Sequence, residues 1–206
     1  MTREVVVLSG VRTPIGGYGG SLKDIPPTVL GATCVREAVK RSGIKPQDVG
    51  HVVFGNIIHT DVHDHYLARV AAVNGGIPHE APALTLNRLC GSGLQAILTA
   101  AQTIMLGDAD VTVAGGAENM SRSPYCSQAM RFGARMNDST MLDMMVGALS
   151  DPFDDCHMGV TAENVAKKYE ISRADQDELA VESHRRAGAA IDHGYFKAQI
   201  VPVQIK

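Results

Sequence analysis

The chain has 206 residues, 45% of them hydrophobic, with 21 glycines and a formal net charge of −3 from 19 basic and 22 acidic side chains. That length and composition suit one large globular domain or a domain with an appendage, and the lack of a basic stripe interleaved with aromatics excludes a nucleic-acid binder. No apolar run reads as a membrane span, Val5-Val6-Val7-Leu8 is too short for a signal-peptide core, and cysteines at 34, 90, 126 and 156 without paired or metal-like spacing point to reduced thiols in the cytoplasm.

In chain order, 5–9 reads as a buried strand. The glycine-dense loop after it resembles a dinucleotide-binding turn, but Gly17-Tyr18-Gly19-Gly20-Ser21-Leu22 lacks the third glycine of that motif, and no helix begins before Pro26-Pro27. A first helix is predicted over 28–41, with Leu30, Cys34 and Ala38 on its buried face and Gly43 as its stop. His51-Val52-Val53-Phe54-Gly55 is a second strand, 65–74 a helix packing Leu67, Val70, Ala71 and Val73, and Ala83-Leu84-Thr85-Leu86 a third strand. A further helix carries Leu94, Ile97, Leu98, Ala101 and Met105 at helical spacing, and Val111-Thr112-Val113-Ala114 is a strand ending at Gly115-Gly116. Strands alternating with helices imply a layered α/β fold with a mixed, mostly parallel sheet.

Residues 120–158, rich in methionine, serine and arginine with broken periodicity, read as an excursion over the surface of the core. Helical pattern returns over 161–169 and again after Ser172, which stands three residues before Asp175 as an N-terminal cap and opens a helix reaching about residue 192, with Gly194 ending it. A strand pattern begins over 200–205. The predicted division is therefore a core half over 1–119 and a loop domain over 120–206 that turns back toward the core.

The chemistry centres on Asn87-Arg88-Leu89-Cys90-Gly91-Ser92-Gly93. Cys90 falls where a strand hands over to a helix. Backbone N–H groups at a helix start are unpaired and carry the positive end of the helix dipole, so a thiol there is biased toward thiolate. Gly91 and Gly93 leave room for a substrate beside the sulfur. The turn thus combines a nucleophile with part of an oxyanion site. The plainer alternative is a small buried core residue.

Four ordered motifs resemble the thiolase family: the Cys90 stretch, Gly115-Gly116-Ala117-Glu118-Asn119-Met120-Ser121, His157-Met158-Gly159 followed by Thr161-Ala162-Glu163-Asn164, and Gly10-Val11-Arg12-Thr13-Pro14-Ile15-Gly16. The resemblance covers essentially the whole chain and is greatest to the bacterial biosynthetic β-ketothiolases, over their N-terminal half. It implies an acyltransferase in which Cys90 takes an acyl group from an acyl-coenzyme A. The acyl-enzyme is then attacked by the carbanion of acetyl-coenzyme A to give a 3-oxoacyl-coenzyme A, a reversible Claisen condensation serving storage-polymer or fatty-acid metabolism. It also implies that His157 and Met158 face the pantetheine arm and acyl pocket, that Met136 and Leu149 line the same tunnel, that no cofactor or metal is needed, and that the full-length protein is a homodimer or homotetramer.

The family's Asn-Glu-Ala-Phe motif, Gly-His-Pro histidine and Cys-Xaa-Gly cysteine do not occur in these 206 residues. By resemblance they belong to a second half, where the histidine activates the nucleophile and the cysteine forms the carbanion. The sequence is accordingly expected to be an N-terminal fragment with little or no turnover by itself, exposing apolar surface meant for the absent half. Other readings are a ketoacyl-synthase-type condensing enzyme or a non-catalytic interaction or lipid-binding protein on the same fold. His59-Thr60-Asp61-Val62-His63-Asp64-His65 is the densest set of metal-ligand residue types, although a hydrophilic loop entering a helix explains it more simply. Asp151, Asp154 and Asp155 fit no calcium-loop spacing.

Overall fold

The computed structural model describes residues 3–205. Its central strand, β1 (His51–Gly55), lies between β2 (Ala83–Leu86) and β3 (Thr112–Gly116), and all three run parallel. Val52 is opposite Ala83 on one side and Val113 on the other, and the register holds as far as Gly55, which faces Leu86 and Gly116. Alternation along β1 sends Val52 and Phe54 into one core and Val53 into another. A strand covered on both faces reads as an unbroken apolar run, as this one does.

One face of the sheet is covered by α1 (Pro27–Ser42) and α2 (Leu67–Asn74), which also pack against each other. Pro27 suits the first helical position because its missing N–H would have no intrahelical partner there, and Gly43 ends α1 in the left-handed conformation at φ 74°. Val35, Val39, Leu67 and Ala71 meet Val52 and Phe54 in the larger core. The predicted buried face of α1 is rotated: Leu30 is buried, but Val35 and Val39 carry the packing, while Cys34 and Ala38 are half-buried and line a cavity of about 720 Å³. α2 begins at Leu67 because the preceding Val62–Tyr66 is a tight 3-10 turn closed by a capping box between Asp61 and Asp64. Its buried residues are Leu67, Ala68, Ala71 and Ala72, so Val70 and Val73 are only partly covered.

The opposite face receives α3 (Ser92–Leu106), which packs on the sheet through small residues and not through its apolar stripe. Ala96 and Ala100 are the buried contacts on Val53, whereas Leu94, Ile97, Leu98 and Met105 of the predicted stripe are all exposed, Leu94 to 64%. Small side chains admit a closer approach of helix to sheet than leucines would. The same residues correct the reading of membrane-length runs, since Leu89–Leu106 is long and apolar enough by length and composition to cross a bilayer; in this fold Ala96 and Ala100 of that stretch pack on the sheet.

Residues 5–9 do not form the predicted buried strand. The stretch joins no strand ladder, and Val7 is 85% exposed. Residues 4–13 and β3 both line the 720 Å³ cavity, so the extended chain does not close on the β3 edge. The strand expected over 200–205 is likewise reduced to an isolated parallel bridge between Arg12 and Ile200, with the Val201 amide donating to the Arg12 carbonyl at 2.8 Å.

By contacts the chain separates into two compact units, one extending to Met145 and resuming at Ile200, the other comprising Val146–Gln199. Residues 120–145 therefore group with the sheet. They include a two-stranded antiparallel hairpin of β4 (Tyr125–Cys126) and β5 (Leu142–Asp143), followed by a short helix, α4 (Met144–Ala148). The second unit holds α5 (Met158–Lys168), starting three residues earlier than predicted, and α6 (Arg173–Asp192). Ser172 caps α6 as its spacing predicts: its hydroxyl accepts from the Asp175 amide at 3.2 Å, and the Asp175 carboxylate accepts from the Ser172 amide at 3.1 Å.

Candidate active site

The corner between β2 and α3 is built by short-range hydrogen bonds. The Asn87 side-chain oxygen accepts from the Leu89 amide at 2.9 Å, and its side-chain nitrogen donates to the Ile57 carbonyl at 3.3 Å. Ser92, buried at the first position of α3, accepts from the Arg88 amide at 2.8 Å and donates its hydroxyl proton to the Leu89 carbonyl at 2.7 Å. Leu89 is thereby held at φ 46°, a conformation that residues with a Cβ seldom adopt. Cys90 is the next residue, and its thiol is exposed.

Close packing between β1 and α3 brings this corner against the sheet. A Cβ at Gly55 would sit 2.7 Å from the Ser92 Cβ, so the last residue of β1 has room for a hydrogen only. Behind it, the Glu118 carboxylate accepts from the amides of Ile57 at 2.9 Å and Ile58 at 3.2 Å and from the Asn56 side-chain nitrogen at 3.2 Å. Burial pushes the Glu118 carboxyl above its ordinary pKa, the two amides oppose that rise, and the nearby Asp64 charge adds to it. These roles of Asn56, Asn87, Ser92 and Glu118 are not visible in local pattern. The one local signal was the Asn-Xaa-Leu spacing, which permits an Asx turn.

The other cysteines differ from Cys90 in setting. Cys34 is half-buried, and burial pushes its thiol pKa up against a smaller opposing backbone hydrogen bond at Thr13. Cys126 is exposed on the hairpin, and Cys156 is half-buried in the second unit.

Of the predicted substrate-contacting residues, Leu149, His157 and Met158 come together within the second unit: the Met158 amide donates to the Leu149 carbonyl at 2.8 Å, and His157 forms an antiparallel bridge with Ser150. His157 caps α5, its Nδ1 accepting from the Gly159 amide at 3.0 Å, which requires that nitrogen to be unprotonated. Met136 lies in the first unit, on the loop between β4 and β5, 84% exposed.

In the histidine-rich loop, Asp61 accepts from the His63 amide and ring, while Asp64 is fully buried and accepts from the Thr60 amide and hydroxyl. His59 and His65 meet edge to face at 4.5 Å. Among the described residues no three His, Cys, Asp or Glu side chains are grouped to hold a metal ion.

The layered parallel sheet and the exposed cysteine at a strand-to-helix corner define an α/β chain that presents a free thiol at the end of its sheet. Residues 5–206 match the family model described as thiolase, N-terminal domain, and the chain belongs to that family. It is 68% identical over 206 residues to the β-ketothiolase BktB of Cupriavidus necator, covering 100% of this chain and 52% of that protein. An acetyl-CoA acetyltransferase of the same organism is 47% identical over 203 residues, covering 98% and 51% of the two chains. Among solved structures, the Bacillus anthracis acetyl-CoA acetyltransferase superposes with a TM-score of 0.95 at 43% identity, covering 100% of this chain and 52% of that one. Human mitochondrial 3-ketoacyl-CoA thiolase in complex with CoA gives 0.93 at 40% identity, covering 97% and 51%. The chain spans about half the length of the relatives it matches.

Proposed function

We propose that this chain supplies the acyl-accepting half of a thiolase acting on coenzyme A thioesters, with Cys90 as the nucleophile. The observation that carries the reading is the exposed Cys90 thiol at the start of α3, in a chain of the thiolase family. In the first step the Cys90 sulfur bonds to the thioester carbonyl carbon, the carbon–sulfur bond to coenzyme A breaks, and the departing thiolate takes up the proton that Cys90 gave up. The Cys90 amide is the donor assigned to the carbonyl oxygen as negative charge develops there. His157, Met158, Leu149 and Met136 are assigned to the pantetheine arm and acyl chain. The similarity to β-ketothiolase and acetyl-CoA acetyltransferase supports a reversible condensation of acetyl-coenzyme A with an acyl-coenzyme A as the activity of the whole enzyme. Homo-oligomerisation in a reducing compartment belongs to the same reading, supported for the compartment by four free cysteines.

The test is incubation with acetyl-coenzyme A and chromatographic measurement of released coenzyme A. One equivalent per chain, absent in Cys90→Ser, is expected. Release that persists in Cys90→Ser contradicts the assignment.

A further inference from the structure

Leu89 is the strained residue of the corner, yet Cys90 is the reactive one, so something must hold the first to aim the second. Both peptide groups of Leu89 are tied down. Its amide donates to the Asn87 side-chain oxygen at 2.9 Å, and its carbonyl accepts from the Ser92 hydroxyl at 2.7 Å and from the Ser92 amide at 2.9 Å. The Ser92 hydroxyl also receives the Arg88 amide at 2.8 Å, closing the turn from its other side. Neither tether is loose. Asn87 is moored to the Ile57 carbonyl, the amide of that same residue is held by Glu118, and Ser92 is buried against Gly55.

We propose that Asn87 and Ser92 are positioning residues that hold Leu89 in its left-handed conformation and thereby set the direction of the Cys90 thiol, with Glu118 anchoring Asn87 through Ile57. This rests on the reading of Cys90 as the nucleophile. Neither side chain is assigned a contact with substrate. Cutting either hydrogen bond releases a backbone conformation that Leu89 does not favour, and the adjacent Cys90 turns with it.

The experiment measures iodoacetamide alkylation across a pH series, resolved by peptide mass for Cys90 and for the exposed Cys126 as an internal reference. The proteins are wild type, Asn87→Ala, Ser92→Ala and Ser92→Thr, the last of which keeps the hydroxyl. A thiol turned away from the unpaired amides that open α3 loses their favourable interaction with negative charge, so the Cys90 rate is expected to fall about tenfold in both alanine variants, with a displaced pH profile, an unchanged Cys126 rate and recovery in Ser92→Thr. Asn87 is exposed, so Asn87→Ala carries the test by itself if Ser92→Ala fails to melt cooperatively. A Cys90 rate and pH profile matching wild type in folded Asn87→Ala overturn the proposal, as does an equal fall at Cys126. If wild-type Cys90 takes no acetyl group while the variant differences persist, the proposed function fails and the positioning role stands.

Discussion

The two faces of the sheet are packed by different rules. On one, α1 and α2 bury Val35, Val39 and Leu67 against Val52 and Phe54, a core of branched side chains that fills volume. On the other, α3 meets Val53 through Ala96 and Ala100 and turns Leu94, Ile97 and Leu98 outward. The first face contributes most of the apolar burial. The second trades volume for proximity, because small contacts and the bare Gly55 let the start of α3, and the Cys90 corner with it, sit directly on the end of β1.

The contrast is tested most strongly by Leu67→Ala, which empties a fully buried position and is expected to cost about 2–5 kcal/mol in a denaturant melt. A loss below 1 kcal/mol would show that the first face is not the stabilising one. Gly55→Ala probes the second face. Its new methyl group would meet the Ser92 Cβ at 2.7 Å and the Ser92 backbone carbon at 2.9 Å, so a destabilisation of about 1–3 kcal/mol is expected. Cys90 alkylation should slow in that variant, and an unchanged rate would break the link between packing and site.

Glu118→Gln places an amide N–H₂ group among donors that the carboxylate now satisfies, with an expected loss of about 1–3 kcal/mol. It also has a pH signature. Glu118 is raised above its ordinary 4.5 in the folded chain, so its contribution to stability is present below that value and declines as pH rises through the folded pKa. Melts across that window should fall more steeply with pH for wild type than for Glu118→Gln, and parallel curves would contradict the assignment. The smallest effect is expected for Leu94→Ala on the exposed side of α3, within about 0.5 kcal/mol. A larger loss would mean that the outward face is covered in solution.

Local chemistry was readable from the sequence, and direction was not. Ser172 with Asp175, and Gly43, act within one turn of a helix end and were found where their spacing placed them. The Cys90 corner was legible for the same reason, as a strand pattern meeting a helix pattern. Periodicity shows that α3 has an apolar stripe but not which side meets the sheet, and the smaller Ala96 and Ala100 win that contact because they permit a closer approach. α1 shows a milder version, its buried face moving from Cys34 and Ala38 to Val35 and Val39. The segment around Val7 has the apolar run of a strand but forms none, because a strand needs a neighbouring edge to accept its hydrogen bonds and a cavity lies between this segment and β3. Asn56, Asn87 and Glu118 are far apart in the chain, and the parallel topology alone brings them to one end of the sheet.

The central claim, that the β2–α3 corner presents Cys90 as an acyl acceptor, is tested most directly by mapping acetyl groups by peptide mass after a timed exposure to acetyl-coenzyme A. The account predicts a single acetyl group on the Cys90 peptide, appearing well before any on Cys126 or Cys34. Acetylation of the exposed Cys126 as fast as Cys90, or none at Cys90, would contradict it.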